Sequence, residues 1–457
     1  MVMSTTPAHT PTEPAAKFRG RAVVAGAGPV GAMVAITLAQ QGWEVQAILP
    51  PTQPSPDDRR ACSISLTARS IRTFRLAGVK LDPIIAAQGG RADFKLFRAD
   101  GAMQRSVSLP VTDNPGLLMS SRDEITRHTI EEAQRMFPNA ISFHFNTSIQ
   151  QVDLDRQCVI TSVAGSKDTS KAHQVAGDMR VSYDLLVGAD GSRSAVRSAM
   201  EQVMPSTYIQ RYRHSQVYCS GPVTGCTDGE VTKHASLEAH PLLKDGSILW
   251  DVRASGYNRV LLVLPQPLAE SIRVGQPASF LALLEKSAPK LAGFVRESVK
   301  NLVRSKPEFY PMPGWTHLSQ LHGPKTVLLG VAAHTMSPVL GQGLNSSLED
   351  VAVFAQCLEQ HEGNVHAALP AYNRARLPAI QALLTLNEAA AASDLGLQAQ
   401  DYGILRKLWV LGHKLLLALH IISHSLLNKL APQLWTFQLA VMQLQGRVSF
   451  VFAKLVR

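Results

Sequence analysis

Three glycine-bearing turns, far apart along the chain, constrain its fold more than any other feature. The first is Gly26-Ala27-Gly28-Pro29-Val30-Gly31, set between the apolar run Arg21–Ala25 and a small-residue helix at Ala32–Gln41. The second is Gly188-Ala189-Asp190-Gly191. The third spans Gly330–His334 and resumes at Gly341-Gln342-Gly343-Leu344-Asn345. In the first turn, Gly26 permits the tight bend, Gly28 lets a diphosphate approach the backbone, and Gly31 lets helix and strand pack closely. The amide-rich end of the helix then faces the phosphates. Val45–Leu49 reads as a second strand, which completes the strand–turn–helix–strand order this pattern requires.

A nucleotide fold of this type usually carries an acid at the end of its second strand, where it grips the ribose hydroxyls. Here that place holds Leu49, followed by Pro50 and Pro51, and no carboxylate occurs until Asp57. The ribose is therefore expected to be held by backbone or by nothing. The second glycine turn follows the buried run Leu185–Val187 and precedes a helix carrying Arg193 and Arg197 in its first turns. The third follows the strand Val327–Leu329, and Gly341–Asn345 opens a helix with Glu349 and Asp350. A helix start there presents amides to an anionic ligand edge.

The rest of the chain reads as a mixed α/β protein. Ser65–Ala77 is expected to be helical, with Gly78 ending it. Phe94–Phe97 and Ser106–Leu109 alternate like sheet strands. Ser121 and Glu124 form a capping box for a helix running towards Met136. Ile141–Phe145, Ile149–Asp153 and Cys158–Val163 read as a meander. Strands are expected at Ser215–Cys219, Ile248–Val252 and Val260–Leu264, with a helix through Leu281–Leu284. From Ser346 the pattern is helical to the end.

Composition narrows the function classes. The chain has 457 residues, is 45% hydrophobic and only 18% charged, so it can bury a large core in two to three domains. Its net charge of +10 is compatible with anionic ligands or an acidic membrane surface. No nucleic-acid-binding signature accompanies that charge. Five scattered cysteines show no zinc-ligand spacing, so they read as buried free thiols of an intracellular, reducing compartment, cytoplasmic or organellar. No metal site and no nucleophilic triad is expected, and His334 reads as structural. No run reaches the ~18–20 apolar residues needed to span a bilayer.

The three turns in this order resemble those of the group A flavoprotein monooxygenases, and within them the kynurenine 3-monooxygenases. Arg60–Val79, Met119-Ser120-Ser121-Arg122, Phe137–Asn146, Leu340–Asp350 and Tyr372–Pro378 fit the same pattern. The resemblance covers residues 20–200 and 307–445 and is weak over 205–305. It implies an α/β fold in which a Rossmann-like FAD-binding domain is combined with a mixed-sheet substrate domain and a helical C-terminal region. The boundaries it suggests are a disordered tail at 1–20, the FAD domain at 21–204 and 307–385, the substrate-side sheet at 205–306 and the helical region at 386–457. FAD would be held by Gly26, Gly28, Val30, Gly31, Ser65, Arg122, Ile149, Asp190, Gly191, Gly341, Gln342, Gly343, Leu344 and Asn345. By the same resemblance NADPH reduces the flavin, dioxygen supplies the oxygen atom, and a small aromatic substrate is hydroxylated.

Departures from the pattern carry information too. The Asp that bonds the flavin's ribityl chain is replaced by Val331. The Arg and Tyr that grip the substrate carboxylate fall near Phe94 and Ser108, so Arg91 serves only in a shifted register. A substrate-facing Asn corresponds to Asn387, and a second Tyr falls near Leu439. These changes point to an aromatic substrate other than kynurenine. The missing carboxylates also motivate a rival reading, a flavin-fold scaffold or regulatory partner that binds FAD weakly or not at all. Another flavin oxidoreductase, an oxidase or a halogenase, is a third, but no Trp-x-Trp-x-x-Pro segment is present. Residues 404–457 read as a helical cap, with peripheral membrane contact through a basic amphipathic helix as the other reading.

Overall fold

The computed structural model describes residues 18–50, 63–86, 91–98, 100–110, 117–163, 179–204, 209–212, 216–223, 235–243, 247–254, 257–275 and 277–394. The expected N-terminal tail, the proline-rich loop after Pro50, the polar turn at 165–177 and the last helical region beyond Asp394 lie outside the described residues.

The chain opens with β1 (Arg21–Ala25), α1 (Pro29–Gln40) and β2 (Glu44–Ile48). Next come β3 (Ser63–Thr67), α2 (Ala68–Leu76) and the short α3 (Asp82–Ala86). β4 (Arg91–Phe97) and β5 (Met103–Pro110) pair antiparallel, and β6 (Leu117–Ser121) runs straight into α4 (Arg122–Met136). β7 (Ile141–His144), β8 (Thr147–Asp153), β9 (Cys158–Val163) and β10 (Met179–Ser182) precede β11 (Leu185–Gly188) and α5 (Ala195–Val203). The middle of the chain holds β12 (Ile209–Tyr212), β13 (Gln216–Pro222), β14 (Ala235–Pro241), β15 (Ile248–Ala254) and β16 (Tyr257–Pro265). Three helices follow, α6 (Gln266–Arg273), α7 (Pro277–Ser287) and α8 (Gly293–Arg304). The short strands β17 (Tyr310–Pro311), β18 (Trp315–Leu318), β19 (His322–Gly323) and β20 (Thr326–Leu328) lead to α9 (Gly343–Gln360) and α10 (Val365–Asp394).

Two large sheets organise these elements. The first has six strands in the order β19-β20-β11-β1-β2-β7, with every pair parallel except β19–β20. Its central strands are completely buried at Val23, Val24, Leu186 and Val187, as expected when helices cover both faces of a parallel sheet. The second has seven strands in the order β17-β13-β16-β15-β14-β4-β5. β4 and β5, which lie within the expected first span at 21–204, thus join the sheet of the middle segment, and β4 pairs parallel with β14. Two hydrophobic cores result. One belongs to the six-stranded sheet with α1, α2, α4, α9 and α10, and the other packs α6–α8 on the seven-stranded sheet. This is the α/β, Rossmann-like plus mixed-sheet architecture read from the sequence.

Several local expectations are corrected. α1 starts at Pro29 rather than Ala32, because proline suits the first helical position, where no N–H is needed. Ser65 lies in β3, not in a helix, and α2 begins at Ala68. Only half of the capping box forms. Ser121 Oγ accepts the Glu124 amide at 3.0 Å, but the Glu124 carboxylate accepts from Ser120 Oγ at 2.5 Å instead of turning back. β7 joins the parallel sheet beside β2, which leaves the meander to β8, β9 and β10. Cys158, Cys219 and Cys357 are buried, and none is in a disulfide among the described residues. Among the described residues no helix is long and apolar enough to cross a membrane, and no group of side chains could hold a metal ion.

Candidate FAD site and its supports

The first glycine turn is dictated by close contact. Gly26 has φ +86°, and a Cβ there would stand 2.6 Å from the Ala189 carbonyl oxygen and 2.8 Å from Asp190 Cα. Gly26 is therefore where the first motif presses on the second. At Gly31 a Cβ would stand 1.8 Å from the Gly26 carbonyl oxygen. Gly28 is the N-cap of α1 and offers no side-chain cap, so the first amides of the helix remain available. An Arg122 guanidinium nitrogen lies 3.3 Å from where a Gly28 Cβ would be. Helix amides and a cation meet at one point, which is the arrangement a diphosphate needs.

The second motif adds an acceptor. Asp190 Oδ2 accepts the amides of Ala195 and Val196 at 2.7 and 3.3 Å, which caps α5. Its other oxygen, Oδ1, is buried and has no hydrogen-bond partner among the described residues. Burial pushes this carboxyl above its ordinary value. An unpaired buried oxygen is costly unless a ligand donates to it. Gly191 has φ +79°, and a Cβ there would meet open space.

Arg197 joins the second motif to the third. Its guanidinium is buried and donates to Ser192 O at 2.6 Å and to Ala332 O at 2.7 Å. The third motif touches the first as well. Gly330 has φ +63°, and a Cβ there would stand 3.4 Å from Val30 Cγ1 and 3.0 Å from Ser347 Oγ. Turns that are about 160 and 300 residues away in the sequence thus pack against the first motif, the second at Gly26 and the third at Val30 of α1.

Below the third motif lies a buried ionic network. Asp350 accepts from the Gly330 amide at 2.8 Å, from Arg376 Nε at 2.5 Å and contacts His334 Nε2 at 2.6 Å. Arg376 also donates to Ser346 Oγ at 2.7 Å and pairs with Glu349 at 3.2 Å. Glu349 pairs with Arg69 at 3.5 Å, and Arg69 donates to Gln342 Oε1 at 2.8 Å. Gln342 is the N-cap of α9. Burial alone would raise the Asp350 carboxyl, but His334 and Arg376 outweigh it and hold the group below its ordinary value. Burial disfavours the Arg376 charge, yet Asp350 and Glu349 keep it firmly protonated. The sequence reading missed Arg69 and Arg376. The only signal was a charge on the otherwise apolar, inward side of a helix.

The remaining expected residues fall into place in different ways. Asn345 is buried, and its amide is fully used by protein. Its Oδ1 accepts from Thr67 N, Thr67 Oγ1 and Ser70 Oγ, and its Nδ2 donates to Ser65 O and Gly341 O. It therefore ties α9 to β3 and α2, and Ser65 takes part through its backbone. Gly341, with φ +60°, and Gly343 flank the Gln342 cap, and Leu344 is half-buried. Ile149 on β8 packs against the main core. Asn387 is buried and accepts from Trp315 Nε1 at 2.8 Å while donating to Ser337 O at 2.9 Å. Arg91 is the first residue of β4, in register with Pro110, and its side chain lies outside the described residues.

The two missing carboxylates are apolar in the structure. Leu49 is buried, and its backbone is already committed: its amide donates to His144 O and its carbonyl accepts from Thr147 N. Val331 is 36% exposed on the turn between Gly330 and His334. The free first amides of α1 and the nearby Arg122 thus suit a diphosphate, while Leu49 and Val331 put apolar side chains where the pattern has carboxylates.

Fold and site together define a flavoprotein of the FAD-dependent aromatic monooxygenase type, an oxidoreductase. The chain belongs to the FAD binding domain family, whose pattern matches residues 20–243 and 316–387. It is 28% identical over 397 residues to kynurenine 3-monooxygenase of Salinispora tropica, which covers 81% of this chain and 79% of that enzyme. It is 25% identical over 377 residues to kynurenine 3-monooxygenase of Phaeosphaeria nodorum, with 80% and 76% covered. Klebsiella pneumoniae HpxO, solved with FAD and uric acid, shares the fold with a TM-score of 0.61 and 20% identity, over 86% of this chain and 92% of that one.

Proposed function

We propose that the protein is an NAD(P)H-using, FAD-dependent monooxygenase that hydroxylates a small aromatic substrate other than kynurenine. The observation that carries this reading is the convergence of Gly26, Asp190 and Gly330 on α1, with Arg122 beside Gly28. FAD, when bound, supplies the electron transfer and dioxygen chemistry. The chain's own residues do the rest. The first turn of α1 and Arg122 hold the diphosphate. Asp190 Oδ1 offers an acceptor to a donor on the cofactor. The start of α9, fixed by Asn345 and by the Arg69–Gln342 bond, would offer its first amides to an electron-rich edge of the flavin ring. The seven-stranded sheet screens the reacting ring from water.

NADPH is the favoured reductant because the resemblance implies it. The buried thiols support a reducing compartment, cytoplasmic or organellar. The test is NADPH and NADH oxidation by FAD-loaded protein across a panel of aromatic compounds, with mass spectrometry of the products. A compound that both stimulates oxidation and gains one oxygen supports the proposal. Oxidation with no oxygenated product from any compound contradicts it.

A further inference from the structure

The seven-stranded sheet sorts its charges by face. Register across the sheet aligns Ser220, Leu261, Trp250, Ala239, Leu96 and Arg105 in one row. The next row on the same face is Arg259, Val252, Leu237, Phe94 and Val107. The opposite face carries Lys95, Glu238, Asp251 and Arg253, which form a part-buried ion pair of 2.8 Å (Lys95–Glu238) and a buried one of 2.6 Å (Arg253–Asp251). That face also holds Leu249, Val260 and Leu262, which pack against α6–α8. The central strands β15, β14 and β4 therefore present only apolar side chains to the first face. Its cations sit to either side: Arg259 is buried and donates to Ser220 Oγ at 2.8 Å, and Arg105 is exposed on the edge strand β5.

This apolar face is the one turned to the FAD domain. Ala92, Ala235 and Val252 belong to the same core as Leu118 and Met119 of β6, and Leu237 and Trp250 pack against it. β6 runs directly into Arg122, and its partner β3 is held by Asn345 at the start of α9. The face is thus continuous with the cofactor cradle. It is also incompletely covered: Phe94 is 38% exposed, and Trp250, Leu96 and Leu261 are half-buried.

Resting on the flavin reading above, we infer that Phe94 and Trp250 form an uncharged aromatic wall for the substrate, and that Phe94 selects a flat aromatic bearing no carboxylate at that end. The resemblance placed a carboxylate-gripping Arg near Phe94. With a phenyl ring there, flanked by Val107 and Leu237, a substrate carboxylate would lose its water and gain no partner. An aromatic ring would instead stack on the wall.

The experiment titrates the FAD-loaded protein with indole and with L-kynurenine. It follows the visible flavin band and tryptophan fluorescence, with Trp250→Phe identifying the reporting ring. Indole is expected to bind about tenfold or more tightly than kynurenine, the scale of one buried charge left unpaired. Phe94→Arg reverses that order, Phe94→Leu keeps it, and Arg105→Ala leaves indole binding unchanged. Kynurenine binding as tightly as indole in the unaltered protein overturns the inference, as does a Phe94→Arg protein with the original preference. A protein that takes up no FAD overturns the flavin reading, and its Trp250 fluorescence still decides the wall. Quenching by indole but not kynurenine upholds it, and its absence overturns it.

Discussion

The alpha carbon of Gly31 lies so close to the carbonyl oxygen of Gly26 that an added Cβ would stand 1.8 Å from it. That contact locks α1 onto β1 and sets where the first helical amides point. Gly31→Ala has no flexible neighbour to displace, because the obstacle is backbone. The expected cost is about 3 kcal/mol of stability, the upper range for overpacking, together with loss of FAD. Thermal unfolding with and without FAD checks this. An unchanged melting temperature would show that α1 is not held by this approach.

Asp350 is expected to be the most sensitive buried charge near the site. Asp350→Asn removes one of the two carboxylates paired with buried Arg376 and leaves Glu349 at 3.2 Å, so the expected loss is about 2–3 kcal/mol, below that of a fully unpaired buried charge. The pH dependence has a definite sign. The folded carboxyl is held below its ordinary value, so its stabilising contribution is complete above about pH 4, the unfolded value, and drains away as pH falls through the folded value. Urea unfolding as a function of pH should show this acid loss in the unaltered protein and less of it in the variant. Parallel curves for the two would contradict the network.

Asp190 behaves oppositely. Burial raises its carboxyl, so ionising it in the folded state costs stability as pH rises from the unfolded value towards the folded one. Asp190→Asn can still cap α5 through its amide oxygen, since Oδ2 alone receives the Ala195 and Val196 amides. It should therefore fold at least as stably and bind FAD more weakly. Equilibrium binding of FAD to the variant is the measurement. Equal affinity would remove Asp190 Oδ1 from the cofactor site.

Val331 gives the converse test. Val331→Asp restores an acid on an exposed turn already aligned by Gly330 and Arg197. FAD affinity should rise about tenfold, the scale of one charge-assisted hydrogen bond. No change would mean that this turn does not face the ribityl chain.

The nucleotide fold was legible because buried parallel strands are nearly continuous apolar runs, and β1, β2 and β11 were placed within a residue or two. β3 was not, because Ser63–Thr67 passes into α2 without a turn and its mixed polarity suits either structure. The charged back of the seven-stranded sheet was hidden for a different reason. Alternating Glu238, His240, Asp251 and Arg253 look like a solvent face, yet all four are buried, with Arg253 stacked on Phe294 of α8 and His240 on Phe97. At the site, the glycines were legible since their spacing encodes backbone contact. Asn345 and Asn387 were singled out in the sequence but not for what their amides bond, because most of those partners lie on distant strands, helices and loops.

The central claim is that this cradle holds FAD despite Leu49 and Val331. Its most direct test is the visible absorption spectrum of the purified protein after FAD loading and removal of free flavin. A retained flavin spectrum near one FAD per chain is the expected result, reduced in Gly31→Ala and Asp190→Asn. Protein that is folded by circular dichroism yet retains no flavin would contradict it and favour the scaffold reading.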